Sequence, residues 1–249
     1  MKLALQTFKH FSQFPQLVQV NSTRQGGFST GNYTSLNMGK HSGDDGETVE
    51  RNRTRFIKSL AIPPNRLVFP AQIHSARIKH VTEPGIVADC DALITAEDNL
   101  FLTIQTADCF PVFLVDPQVH AVGIVHSGWR GTAKRIVEKT IDLMCEKLNC
   151  QPARMYAGIG AGVQQSCYQV DELTAANFDS KFLIPDSPGH YKLDVQGRII
   201  EQLNQAGLKA GNIQWDATCT HCAKDLYYSY RRDGQQSGRM MGVIGIHKK

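Results

Sequence analysis

The stretch AVGIVHSGWRGTAKRIVEKTI, residues 121–141, constrains the fold more than any other part of the chain. Ala121 to Val125 form an unbroken apolar run, as a strand covered on both faces requires. Beyond it Ala133, Ile136, Val137, Ile141, Met144 and Leu148 recur at helical spacing, which predicts an amphipathic helix over about 132–148. A buried strand that passes through His-Ser-Gly-Trp-Arg-Gly into such a helix belongs to a layered sheet-and-helix fold. It also delivers His126 and Arg130 just ahead of a helix N-terminus, where backbone N–H groups attract anions. A tight strand-to-helix turn with a satisfied histidine is the plainer alternative.

Other apolar runs have strand length: 67–74, 91–95, 100–109, 111–116, 154–160 and 240–246. Helices are predicted over 47–60, 170–178 and 195–207. Short links between the central runs make many of them antiparallel neighbours. Helices interspersed with runs of strands predict an α+β architecture of mixed β-sheets covered by helices. No repeat, linker or low-complexity segment divides the chain, so one domain is expected over residues 1–249.

The net charge of +4 comes from 27 basic and 23 acidic residues spread along the chain, which excludes a nucleic-acid-binding tail and favours small anionic or neutral ligands. No stretch approaches the roughly 18 apolar residues of a membrane span. The start MKLALQTFKHF lacks an apolar signal core and a small-residue cleavage site, so a cytoplasmic protein is expected. Seven cysteines, an odd number at irregular spacing, read as thiols or metal ligands rather than a disulfide framework.

Three polar residues stand at the ends of central apolar runs: His74, Cys109 and His126. Strand ends meeting at one sheet edge would join two imidazoles to a thiolate. Three protein ligands leave a tetrahedral metal one open position, the pattern of catalytic rather than structural zinc. The same donors form the equatorial set of a blue-copper site, so ligand type alone leaves copper open. Each residue also has a plain reading, Cys109 as a small buried side chain and His74 as a loop-edge histidine. Spacing does not show that the three strands are adjacent.

Arg130 is the strongest candidate for holding an oxyanion. Arg24, followed by Gly26 and Gly27, either cradles a phosphate or marks a plain turn. Arg53 lies with Asn52 in the predicted helix from 47, where a solvated face is the default. Asp108 points away from Cys109 if the strand is undisturbed and towards the site if it bulges. Cys219, His221 and Cys222 look like half a zinc motif, but no second pair follows at suitable spacing, so a second metal site is not expected. Tyr227, Tyr228 and Tyr230 with Arg231 and Arg232 could stack on a purine, although a packed aromatic face is the expected reading.

Four motifs, QIHSARI, DALIT, TADCFPVFLVDP and VGIVHSGWRGTA, follow one another in the order found in the YfiH family, also called the laccase-domain or polyphenol-oxidase family. STRQGGFS, SLNMG, SCYQVDE and THCAKDLYYSYRRDGQQSGR are similar to its other landmarks, so the resemblance runs nearly end to end. It implies a four-layer α/β/β/α sandwich with zinc on His74, Cys109 and His126. The implied activity is phosphorolysis of purine nucleosides such as adenosine, inosine or methylthioadenosine, with adenosine deamination beside it. Asp108 and Arg130 become catalytic candidates; Arg24, Asn37 within SLNMG, and Arg53 become substrate-binding candidates. The implied partners are a purine nucleoside and phosphate, in a monomer or homodimer.

Alternative readings attached to the family are a copper polyphenol oxidase and an amidase-like editing of peptidoglycan precursors. A multicopper laccase carries paired His-x-His motifs, and none of the nine histidines here forms one. A non-enzymatic zinc-containing binding protein is the last alternative. One departure touches substrate detail: the family shows Gly-Pro ahead of its CY motif, whereas GIGAGVQQSCY has Ala161 where the proline would stand.

Overall fold

The computed structural model describes residues 3–248, so residues 1, 2 and 249 of the predicted domain lie outside the described residues. In chain order the strands begin with β1 (Leu5–Gln6), β2 (Leu17–Ser22), β3 (Leu67–Pro70), β4 (Ile78–His80), β5 (Gly85–Val87), β6 (Ala92–Thr95), β7 (Phe101–Thr106) and β8 (Phe110–Asp116). They continue with β9 (Ala121–Ser127), β10 (Tyr156–Ile159), β11 (Gln169–Asp171), β12 (Leu183–Ser187), β13 (His190–Leu193), β14 (Ile213–Trp215) and β15 (Met240–Ile246). The α-helices are α1 (Gly46–Ser59), α2 (Trp129–Ala133), α3 (Ile136–Leu148), α4 (Glu172–Ala175), α5 (Val195–Gln205) and α6 (Tyr230–Asp233).

Two six-stranded sheets carry the fold, in the orders β1-β2-β15-β7-β3-β5 and β14-β10-β8-β9-β6-β4, with a small third sheet β11-β13-β12. The pair β8·β9 is antiparallel, as its short link requires, and β6·β9 and β7·β15 are antiparallel although their strands are not consecutive in the chain. The pairs β3·β7, β3·β5 and β4·β6 are parallel, which makes both large sheets mixed.

Alternation along the strands builds the layers. Leu102 and Ile104 of β7, Phe113 and Val115 of β8, and Val122 and Ile124 of β9 share one buried cluster between the two sheets. Their neighbours face outward: Phe101, Met241 and Val243 pack with Phe56 and Ile57 of α1. Val112, Leu114 and Val125 pack with Ile136, Val137, Ile141 and Met144 of α3 and with Ile199 and Leu203 of α5. The order α1, first sheet, second sheet, then α3 with α5 is a four-layer α/β/β/α sandwich. Among the described residues no helix is long and apolar enough to cross a membrane.

The helix predicted over 132–148 divides in two. Arg135 turns left-handed, at φ 61°, between α2 and α3, so His126 is followed by a five-residue helix. Gly131 makes the short helix fit, because a Cβ there would stand 3.0 Å from the Ser75 carbonyl oxygen. The helix predicted over 170–178 shrinks to one turn, α4, capped by the Asp171 side chain on the Thr174 N–H. The run 67–74 is a strand only as far as Pro70; its last four residues form a loop.

Candidate metal centre

The site lies where the chain crosses between the two large sheets. His74 stands in the loop after β3, exposed and left-handed at φ 56°. Asp91 explains why an imidazole is held there. Its carboxylate accepts the backbone N–H groups of Ile73, His74 and Ser75 at 3.3, 3.0 and 2.6 Å, and the Ser75 hydroxyl at 2.7 Å. Cys109 occupies the bend from β7 in the first sheet to β8 in the second, just after Asp108 at φ 87°. His126 is buried near the end of β9, and its backbone N–H donates to the Asp91 carbonyl at 2.7 Å.

Asp91 also fixes the second imidazole. Its Oδ1 lies 2.9 Å from His126 Nδ1, which leaves Nε2 for the cluster. The two imidazoles meet edge to face, with centroids 4.8 Å apart. One ligand atom from each of His74, Cys109 and His126 falls within 4.8 Å of the other two. Gly128 keeps the space open: a Cβ there would stand 2.8 Å from Cys109 Sγ and 3.6 Å from His74 Cδ2.

Electrostatics match the geometry. Burial works against the Cys109 thiolate, yet the His126 charge and hydrogen bonds from both imidazoles lower the thiol below its ordinary value. Burial likewise works against the His126 charge, which the Cys109 thiolate and Asp91 outweigh. For Asp91 the hydrogen bonds from His126 and Ser75 overcome burial and hold the carboxyl at about 2. Two imidazole nitrogens and a thiolate, with a carboxylate behind one imidazole, are a donor set that can hold a thiophilic divalent ion.

The three residues open into a cleft of about 1540 Å³. Lys40, Arg53, Arg130, Arg231 and Arg239 line it against the carboxylates of Glu50 and Asp108, so its charge favours an anion. Trp129, Tyr168 and Tyr230 contribute aromatic faces. Burial pulls the Arg53 and Arg239 guanidiniums below their ordinary value, which increases what either gains from an anionic partner.

The other sequence candidates divide. Arg130 lines the cleft from within the first turn of α2, rather than before it, with its guanidinium 4.4 Å over the Trp129 ring. Arg53 lines the cleft from α1 instead of facing solvent, and its Nε donates to the Met38 carbonyl at 2.8 Å. Arg24 lies outside the cleft lining, with its Nε and Nη1 donating to the carbonyls of Thr34 and Lys224 at 2.7 and 2.8 Å. Asn37 does not line the cleft either. It is fully buried and binds Ser42, Asp44, Gly39 and the backbone N–H of Arg239, clamping loops together behind that lining residue.

Asp108 borders the cleft, but its carboxylate is engaged: it accepts the Thr220 hydroxyl and the Arg231 N–H, each at 2.6 Å. That arrangement suits a tether better than a proton carrier. Of the aromatic run, Tyr227 and Tyr228 pack in a buried cluster with Ala161 and Met240, while Tyr230 and Arg231 reach the cleft. Ala161 therefore sits behind the wall. Sequence reasoning missed Asp91 and Arg239; the only advance signal was that both lie inside family landmarks.

Residues 18–247 match the family described as Multi-copper polyphenol oxidoreductase laccase. The chain belongs to this family. A relative from Deinococcus radiodurans, named Purine nucleoside phosphorylase, is 36% identical over 92% of this chain and 88% of its own. Another, named Adenosine deaminase RL5, from an unknown prokaryotic organism, is 30% identical over 96% and 97% of the two chains. The crystal structure titled Bacillus licheniformis hypothetical protein YfiH superposes with a TM-score of 0.93 at 31% identity, covering 98% of this chain and 96% of that one.

Proposed function

We propose that this family member is a zinc-dependent purine nucleoside phosphorylase, with its ion on His74, Cys109 and His126. The observation that carries the reading is the mixed nitrogen and sulfur triad in a cleft that guanidiniums and aromatic rings also line. The name of the Deinococcus relative supports it. The cleft draws on residues from Lys40 to Met241, consistent with one catalytic unit spanning the chain. All seven cysteines are unpaired, as suits a cytoplasmic enzyme.

In phosphorolysis a phosphate oxygen bonds to the ribose anomeric carbon while the carbon–nitrogen bond to the purine breaks. The purine leaves with the bonding pair and takes up a proton, giving free base and ribose 1-phosphate. When bound, zinc supplies Lewis-acid charge beside the reacting groups. Arg130 presents two parallel donors to the phosphate, and the Trp129 ring beneath it restricts the guanidinium. Tyr168 and Tyr230 offer faces to the purine. Asp91 holds Nδ1 of His126 and so keeps Nε2 directed at the ion.

Hydrolytic deamination of adenosine is the second reading, favoured by a three-ligand set that leaves one coordination position open. Incubation with adenosine, with and without phosphate, separates the two: base and ribose 1-phosphate require phosphate, whereas inosine and ammonia do not. Copper chemistry has less support. A trinuclear copper cluster needs paired histidines, and the ligand groups among the described residues are this triad and a set of three cysteines.

Arg130→Lys keeps the charge and loses the fork. Phosphorolysis should fall about tenfold to a hundredfold, as expected from losing roughly 1.5 to 3 kcal/mol of charged hydrogen bonding, with zinc content and melting temperature unchanged. Unchanged steady-state rates at limiting phosphate would remove Arg130 from the site. Gly128→Ala alters no ligand, yet its methyl group would press on Cys109 Sγ. Competition with a chelator should show zinc affinity reduced by about tenfold to a hundredfold, the range for residues that orient ligands. Wild-type affinity would contradict the assigned geometry.

A further inference from the structure

A second group of ligand atoms lies outside the triad. Cys167, from SCYQ, meets Cys219 and Cys222, from the CTHC turn, and the three sulfurs fall within 4.8 Å of one another. Cys167 Sγ and Cys222 Sγ lie 3.3 Å apart. The sequence alone offered only the two cysteines of the turn; folding supplies the third.

We infer that these three thiolates form a second metal site, for a thiophilic ion such as zinc, distinct from the triad in the cleft. The spacing suits an ion. Zinc–sulfur bonds of about 2.3 Å set tetrahedral sulfurs about 3.8 Å apart, between the 3.3 Å of the Cys167–Cys222 pair and the 4.8 Å within which all three sulfurs fall. Small apolar packing does not explain the cluster. Cys222 is exposed, and none of the three belongs to a hydrophobic core cluster.

Backbone donors gather at one of the three sulfurs, Cys219, whereas the neighbouring Cys167 and Cys219 sulfurs push the Cys222 thiol up to about 11 in the metal-free cluster. The backbone N–H of Gln164 donates to Cys219 Sγ at 3.4 Å, and those of His221 and Cys222 also donate to it. Such N–H groups stabilise a sulfur anion before any ion arrives. Arg232 braces the turn, with Nη1 donating to the carbonyls of Thr220 and His221, both at 3.0 Å, while its Nε and Nη2 pair with the Asp233 carboxylate.

The position gives the ion a bracing role. Cys167 adjoins Tyr168, which lines the cleft, and Thr220 between the other two cysteines donates to Asp108, next to Cys109. An ion here would pin the loop carrying Tyr168 to the turn that anchors Asp108. It takes no part in bond making.

The test is zinc content by elemental analysis, on full-length protein prepared under reductant and dialysed against dilute zinc. Wild type should retain two ions per chain, Cys109→Ala one, Cys222→Ser one, and the double variant none. Cys167→Ser should repeat Cys222→Ser, which covers a folding defect in either. The proposal rests on neither nucleoside chemistry nor the triad, because Cys109→Ala isolates the second ion. A single ion in wild type that Cys109→Ala removes would overturn it. So would two ions retained by Cys222→Ser, or a Cys167–Cys222 disulfide in place of the second ion in reduced protein.

Discussion

Cys109→Ala is expected to abolish tight zinc binding in the cleft and to lower phosphorolysis by at least about a thousandfold, near 4 kcal/mol of transition-state stabilisation. The thiolate is the only anionic ligand of the triad, and its negative charge beside His126 favours the charged imidazole. Two neutral imidazoles make a weak site for a divalent ion. The fold should survive, because its stability rests on three apolar layers between and outside the sheets. Metal-free forms of variant and wild type should therefore melt at similar temperatures. Calorimetric titration with zinc reads the site directly, and unchanged affinity in the cleft would remove Cys109 from it.

Asp91→Asn should be costly in two separable ways. The carboxylate is fully buried and accepts five hydrogen bonds, from three backbone N–H groups, the Ser75 hydroxyl and His126 Nδ1. An amide turns one acceptor into a donor that faces other donors. The loss should be about 3 kcal/mol, seen as a melting temperature lower by about 6–12 °C. Zinc affinity should fall about tenfold to a hundredfold as the His126 imidazole and the His74 loop lose their orientation. Saturating zinc should then restore much of the phosphorolysis but not the metal-free stability. Asp91 is a positioning residue, and a rate that stayed low at full zinc occupancy would instead make it part of the chemistry.

Much of the fold was legible because burial writes itself into apolar runs. The run 240–246 became β15 with the same bounds, and AVGIVH became β9 with one further residue. The pattern hid tertiary decisions. Ala133, Ile136 and Val137 keep helical spacing across Arg135, whose left-handed backbone carries no local signal, so one predicted helix became two. Pro185 and polar neighbours concealed β12, which pairs with β13 in the small third sheet.

The candidate site was legible through ordered motifs, not through periodicity. His74 does not end a strand; it reaches the site only because the loop at residues 73–75 wraps the Asp91 carboxylate. That wrapping is a long-range contact, invisible in DALIT itself. Arg24 and Asn37 show the converse. Arg-Gln-Gly-Gly and Leu-Asn-Met-Gly read the same whether their polar groups face a ligand or the protein's own carbonyls, and here they face the protein. Arg53 looked like a solvated helix residue, yet α1 turns it towards the cleft.

The most direct test of the central claim is product analysis with protein of measured zinc content. Adenosine and inosine are incubated with and without phosphate, before and after chelation, and the products are resolved by chromatography. Free purine and ribose 1-phosphate should appear in equal amounts, only with phosphate, should vanish on chelation and should return with added zinc. Zinc-loaded protein that leaves both nucleosides intact in phosphate, while a copper-loaded form turns over phenols, would contradict it.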